Sequence, residues 1–333
     1  MTVELIDSKE TWDKFVDESP YGLVYHKWDF LTIVEKYTNY KFCPYGVFRG
    51  ETLIGIFPLF RKKIAVINTI FSPPPRSGIP YLGFLTNPEY ESLKQNKKET
   101  YLNQIVEEVN EVISSFTPNY ISISIVPNFI DIRPFKWQDY TIDTHFTYSL
   151  DLSANLDTIW MDLKKETRKQ IKSAESSGLK LTKSKDVTTF YNAMSERYKE
   201  QGLNFPLINQ SYVEDLIATF PDQIGIYYVY DENDIPVSVQ LTQEYKRFIS
   251  WIGGSRTERP VHGNEYMQWN LIKLAKENNF HTFELSGAGL KRLCEFKSKF
   301  NPSLEVCYRV HKRDIYGKLA GLAYTSFIKQ RWS

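Results

Sequence analysis

The chain has 333 residues, which at ~100–200 residues per domain favours two domains, each long enough to bury a core. Lys and Arg total 41 against 40 Asp and Glu, so a formal charge of +1 argues against a chain dominated by attraction to nucleic acid or an anionic membrane. Apolar residues at 42% and charged residues at 24% exclude wholesale disorder.

Cys43, Cys294 and Cys307 form no CxxC pair and no closed disulfide framework, which favours a reducing compartment. The histidines are scattered without an HExxH spacing, so no metal site is expected. The opening MTVELIDSKE lacks the basic and apolar regions of a signal peptide. Leu53–Phe60, the longest apolar stretch, is far short of the ~20 residues that span a bilayer. A cytoplasmic protein is expected.

In chain order, helical patterns at 9–18 and 28–37 precede a hairpin of strands 42–48 and 53–60 around the turn Arg49–Thr52. A proline-rich loop (72–78), a helix over 89–116 and a period-two strand at 120–126 follow. The second half repeats this grammar. Helices at 156–176, 187–200 and 210–220 precede strands 224–230, 237–243 and 248–251. A helix at 264–278 and strands at 281–285 and 304–310 complete it. The matching order of YGVFRGETLIGIFPLF (45–60) and YYVYDENDIPVSVQLT (227–242) suggests an internal duplication of an α/β unit built on an antiparallel meander. The join falls near Pro134–Leu150.

Four segments are candidates for chemistry. In the helix 156–178, Leu156, Trp160, Leu163, Thr167, Ile171 and Ala174 share one face. Lys164, Lys165, Arg168, Lys169 and Lys172 form either a ridge that grips phosphate or tRNA, or a solvated face. At 259–271, Gly263 leads into a helix that Asn264 is placed to cap, with Arg259 just before it. Free N–H groups there suit an anion, but Glu265 would repel a pyrophosphate. At 281–310, Glu284 ends a strand before the turn Ser286–Gly289, and Phe296-Lys297 follows in an FKxxF cluster. That lysine either stabilises an oxyanion in a partly dry cleft or lies across two core rings with its head in water. Nearby Cys294 is either reactive or structural. Finally, 316–332 either docks on its own domain or rests on a membrane surface.

Together these segments resemble the FemABX-type transferases of the GNAT superfamily. The likeness rests on the basic helix ending in AExxG, the strand opening into a glycine turn, FKxxF, SPYG followed by Trp28, the proline-rich loop before Gly83, the 224–243 hairpin and WIGGS at 251–255. It implies an α/β (α+β) fold of two tandem GNAT-like domains, 1–145 and a catalytic 146–333, each a mostly antiparallel mixed sheet flanked by helices. It further implies transfer of an acyl or aminoacyl group onto an amine. Lys297 would stabilise the tetrahedral intermediate, and Glu284 would accept a proton or pair with a lysine. Phe296, Trp251, Arg259, Gly263, Asn264, Lys164 and Arg168 would bind substrate. No tightly bound cofactor is expected. The donor would be aminoacyl-tRNA or acyl-CoA, and the acceptor a small molecule or cell-envelope precursor. The alternatives are an acyl-CoA-dependent N-acetyltransferase of small metabolites and an inactive binding protein. The family's phosphate-holding basic residues have no clear match, because Asp29 and Phe30 follow Trp28 and Ser176-Ser177 precede Gly178.

Overall fold

Two polar turns organise the chain, because strands joined by so few residues must run antiparallel. Arg49–Thr52 closes one hairpin, with Gly50 in the left-handed region (φ 62°), and Asp231–Asp234 lies within the connection that closes another. The structure, a computed structural model, describes residues 1–129, 131–255 and 262–319. They divide into two units. One is Met1–His145 with the described residues from Cys307 on, and the other is Phe146–Val306.

The first half runs β1 (Thr2–Leu5), α1 (Lys9–Glu18), α2 (Trp28–Thr38), β2 (Lys41–Arg49), β3 (Thr52–Ile64), β4 (Ile67–Ser72) and β5 (Leu85–Thr86). It continues with α3 (Glu89–Ser92), α4 (Gln95–Ser115), β6 (Tyr120–Ser124), α5 (Arg133–Trp137) and β7 (Thr141–Asp151). The second half runs α6 (Leu156–Asp162), α7 (Lys165–Ser176), β8 (Lys180–Ser184), α8 (Val187–Glu200), α9 (Gln210–Thr219), β9 (Ile224–Tyr230), β10 (Pro236–Tyr245) and β11 (Arg247–Ser255). Then come α10 (Gly263–Glu277), β12 (Thr282–Glu284), α11 (Lys291–Lys297) and β13 (Ser303–Arg313).

In the first unit the sheet order is β1-β2-β3-β4-β6-β13, and only β4 and β6 run parallel. Its core holds Trp12 and Phe30, both fully buried. The Trp12 indole N–H donates to the His26 carbonyl at 2.6 Å, which satisfies a polar atom that burial would otherwise penalise. His26, also fully buried, has Nε2 2.7 Å from the Leu82 carbonyl and serves the core.

In the second unit the order is β8-β9-β10-β11-β12-β7, and only β11 and β12 run parallel. Each unit is therefore an antiparallel meander followed by a helix and a parallel strand, the repeat expected from the hairpin comparison. The expected fold class, a mostly antiparallel mixed sheet with flanking helices, is present in both.

Two expected helices are each broken without glycine or proline. The 89–116 helix breaks at Leu93-Lys94, where Leu93 N–H returns to the Tyr90 carbonyl and Lys94 is extended. The 156–176 helix breaks at Leu163-Lys164, where Lys164 N–H bonds to the Lys299 carbonyl at 2.9 Å. The apolar face nevertheless survives, with Leu163, Thr167, Ile171 and Ala174 all buried and Leu156 and Trp160 packed on the same core. At Leu163-Lys164 a tertiary contact overrides helix propensity.

The expected domain 146–333 needs correction at its end. Residues 309–313 of β13 pair antiparallel with β6, so the described residues from Cys307 on belong with the first unit. β7, which the sequence pattern leaves as a join, is a strand whose residues 149–151 pair with β12. Most of the 316–332 segment lies outside the described residues.

Ending the chain at Val306 removes one of the two strands hydrogen-bonded to β6, whose Ile121 and Ile123 are buried. Amide hydrogen exchange on that truncated chain will show lost protection in β6 and a lower-melting first unit. Protection equal to that of the full chain would contradict the assignment.

Candidate active site

All of the following lies in the second unit. α11 is short, and its last turn tightens into a 3-10 turn at Ser298–Phe300 that stops at Asn301 in the left-handed region. Phe300, 1% exposed, anchors this end in the core, and Phe296 meets it edge-on with ring centroids 5.6 Å apart. That anchor fixes the direction of Lys297, which turns inward. Its Nζ donates to the carbonyls of Ser286 and Gly287, the latter at 2.8 Å. An ammonium carries three donors, and the third has no partner among the described residues. Burial pushes the Lys297 pKa down to about 8, against the opposing pull of Cys294 and Glu284.

The Ser286–Gly289 turn expected from the sequence is tied down. Leu285 N–H donates to the Tyr148 carbonyl and Ala288 N–H to the Phe146 carbonyl, both at 2.8 Å. Gly287 N–H donates to Thr147 Oγ1 at 3.3 Å, so it is not a free phosphate cradle. The left-handed φ of Gly287 (76°) is a conformation that favours glycine.

Thr147 links this turn to Glu284, because its hydroxyl also donates to Glu284 Oε1 at 2.8 Å. Glu284 is fully buried, and its other oxygen accepts from Arg247 Nη1 at 3.2 Å. Arg247 in turn donates to both Glu305 oxygens at 2.8 Å. The paired cation expected for Glu284 is thus an arginine, not a lysine. With both oxygens occupied, this carboxylate balances charge beneath the turn. The register explains the meeting, since Ile249 stands opposite Glu284 and Arg247 lies two residues along the same strand face.

β11 and β12 pair only at Phe248–Phe283 and Ile249–Glu284. Beyond that the chain after β12 stays hydrogen-bonded to β7 as far as Ala288, while β11 continues to Ser255. The two parallel strands therefore part company at Glu284, next to the turn that holds Lys297. Sequence reasoning missed a buried polar row on this side of β10. Ser238, Gln240 and Thr242 alternate with Val237, Val239 and Leu241, and Gln268 Nε2 donates to Gln240 Oε1 at 3.2 Å. A Cβ at Gly253 would lie 2.5 Å from the Val239 backbone carbonyl oxygen, which cannot move aside, so only glycine fits there. The signal was a period-two polar face in a strand with no solvent side.

The other expected site residues separate from this cluster. Trp251 is a core side chain, 6% exposed. Gly263 is buried, and a Cβ there would meet Val237 Cγ2 at 3.1 Å, so close packing against β10 explains it. Asn264 does not cap α10, whose cap position is His262 in the left-handed region. Instead its Oδ1 accepts from Ser238 Oγ at 2.9 Å. Arg259 lies outside the described residues.

Lys164 is exposed and 3.4 Å from Glu166. Arg168 does not face outward to grip phosphate. Its Nη1 donates to the carbonyls of Met161 and Leu163, satisfying the open end of α6. Cys294 is half-buried, and burial, followed by the nearby Cys294, raises the Tyr148 pKa.

Residues 162–298 match the family model described as "Acetyltransferase (GNAT) domain". Comparison with curated proteins by sequence finds no match. Among solved structures the chain is similar to FemX, at TM-score 0.70 and 15% identity over 92% of this chain and 97% of that one. It is also similar to L-PGS from Bacillus licheniformis, at TM-score 0.57 and 10% identity over 92% of each. A tandem GNAT protein from the clavulanic acid biosynthesis pathway matches at TM-score 0.51 and 8% identity, over 92% of this chain and 98% of that one. In fold, the chain is similar to FemX and, less closely, to L-PGS and the tandem GNAT protein.

Glu284→Gln leaves Arg247 facing a neutral amide and will lower stability by about 1–3 kcal/mol in thermal unfolding. A variant as stable as the parent would remove Glu284 from its charge-balancing role.

Proposed function

We propose that the protein is an acyl- or aminoacyltransferase that forms an amide on an amine acceptor. The inward, desolvated ammonium of Lys297 carries this reading. A neutral amine attacks the acyl carbon, the C–N bond forms, and the carbonyl oxygen becomes an oxyanion. That oxygen takes the third N–H of Lys297. The oxyanion then collapses, the donor's sulfur or oxygen leaves, and the amine's extra proton passes to the leaving group or to water. A charged donor held in a partly dry setting is worth more than the same donor in water. No covalent intermediate on the chain is needed.

The acyl donor is aminoacyl-tRNA in the first reading. Glu265 sits in the first turn of α10 with its carboxylate 12% exposed and 4.0 Å from Lys299. A negative charge at that helix start disfavours the pyrophosphate of coenzyme A. Acyl-CoA is the second reading, supported by the acetyltransferase description of the matching family model. The acceptor is an amine on a cell-envelope precursor or a small metabolite, met in the cytoplasm. No described helix is long and apolar enough to cross a membrane.

Thermal-shift assays with charged tRNA and with CoA thioesters will separate the donors, since a ligand at 100 times its Kd stabilises by ~2.7 kcal/mol. Mass spectrometry of amine acceptors then detects the amide. Lys297→Ala will lose ~10²–10³ in turnover with the fold intact. Because the ammonium deprotonates as pH rises through about 8, the parent's rate will fall above that pH, and Lys297→Arg will move the fall upward. Equal rates for Lys297→Ala and parent would end the assignment. A ligand shift with no product from any acceptor would favour a binding protein.

A further inference from the structure

The first unit contains a cleft of ≈ 520 Å³ that the proposed reaction does not use. The break between α3 and α4 forms it. Tyr90 and Glu91 on α3 face Lys98 and Glu99 on α4, with Tyr21, Phe129, Asp131 and Arg133 closing the walls.

One side of this cleft is an ammonium receptor with a cation already in it. Lys98 Nζ is 2.9 Å from Glu91 Oε2 and lies over the Tyr90 ring at 5.4 Å from its centroid. The Tyr21 hydroxyl donates to the other Glu91 oxygen, and Phe129 packs on both tyrosines, at 5.5 and 6.0 Å between centroids. A carboxylate beside an aromatic face is a general solution for binding an alkylammonium. Burial would raise the Glu91 pKa, but the bonds from Tyr21 and Lys98 outweigh it and hold the carboxyl below its usual range, so the receptor stays anionic.

The other side presents a guanidinium. Arg133 Nε and Nη2 bind Asp131 at 2.9 and 2.8 Å, and Nη2 also binds Glu99 at 2.8 Å. Nη1 has no partner among the described residues, which leaves two donors for an incoming carboxylate. Three carboxylates against two cations give the cleft one surplus negative charge.

We propose that this cleft binds an amino acid with a cationic side chain, its ammonium taking the place of Lys98 on Glu91 and Tyr90 and its carboxylate meeting Arg133 Nη1. Lys98 is then a tethered competitor, about a quarter exposed and free to swing out. The proposal does not depend on Lys297.

Titration calorimetry with L-lysine, L-glutamate and 1,5-diaminopentane tests it. L-lysine binds the parent and L-glutamate does not. Lys98→Gln removes the competitor and tightens L-lysine by ~10-fold or more, because apparent affinity scales with the competent fraction. Adding Glu91→Gln in that background abolishes binding, with circular dichroism confirming the fold. Arg133→Gln weakens L-lysine but not 1,5-diaminopentane. Equal L-lysine affinity in parent, Lys98→Gln and the double variant would overturn the proposal, as would no binding to any of them. Neither result would bear on transfer by Lys297.

Discussion

Burying an ammonium away from water is unfavourable unless carbonyl oxygens replace its hydration. Lys297 meets that requirement with two backbone carbonyls from one turn, Ser286 and Gly287. The turn must therefore hold its carbonyls inward, which explains the left-handed Gly287 and the hydrogen bonds to β7 on either side of it. Thr147 ties the turn to Glu284, and Glu284 is neutralised by Arg247. One cation is thus set by a chain of contacts that begins in a buried ion pair.

The sheet of the second unit supplies the rest. A parallel strand reached through a helix is bonded at only two positions to its neighbour before the two diverge. Strand ends that part in this way leave backbone and side-chain groups facing a gap, where an α/β fold can admit a ligand. The first unit repeats the same strand–helix–strand plan, with β4 and β6 parallel, but carries its charged cleft elsewhere, at the break between two helices.

Much of this was legible along the chain. The 42–48/53–60 and 224–230/237–243 hairpins follow from period-two runs around polar turns. The apolar face from Leu156 to Ala174 held its positions through a helix break that periodicity cannot see. The FKxxF cluster pointed to Lys297 because aromatic neighbours dry a cation. What stayed hidden depends on contacts distant in sequence. Arg247 and Glu284 meet only through strand register, 37 residues apart. Arg168 looks like part of a basic ridge until α6 ends beside it with open carbonyls. β8, too polar for the pattern, is an edge strand held by β9. Asn264 reads as a helix cap by residue type, yet Ser238 on the neighbouring strand claims its side chain.

The account turns on whether Lys297 is desolvated in solution. Nuclear magnetic resonance of isotope-labelled lysine, assigned with Lys297→Arg, follows that one ammonium through a pH titration. The account predicts a midpoint near 8, well below the ordinary 10.5. A midpoint at the ordinary value would mean a side chain in water, with no preset cation to meet an oxyanion.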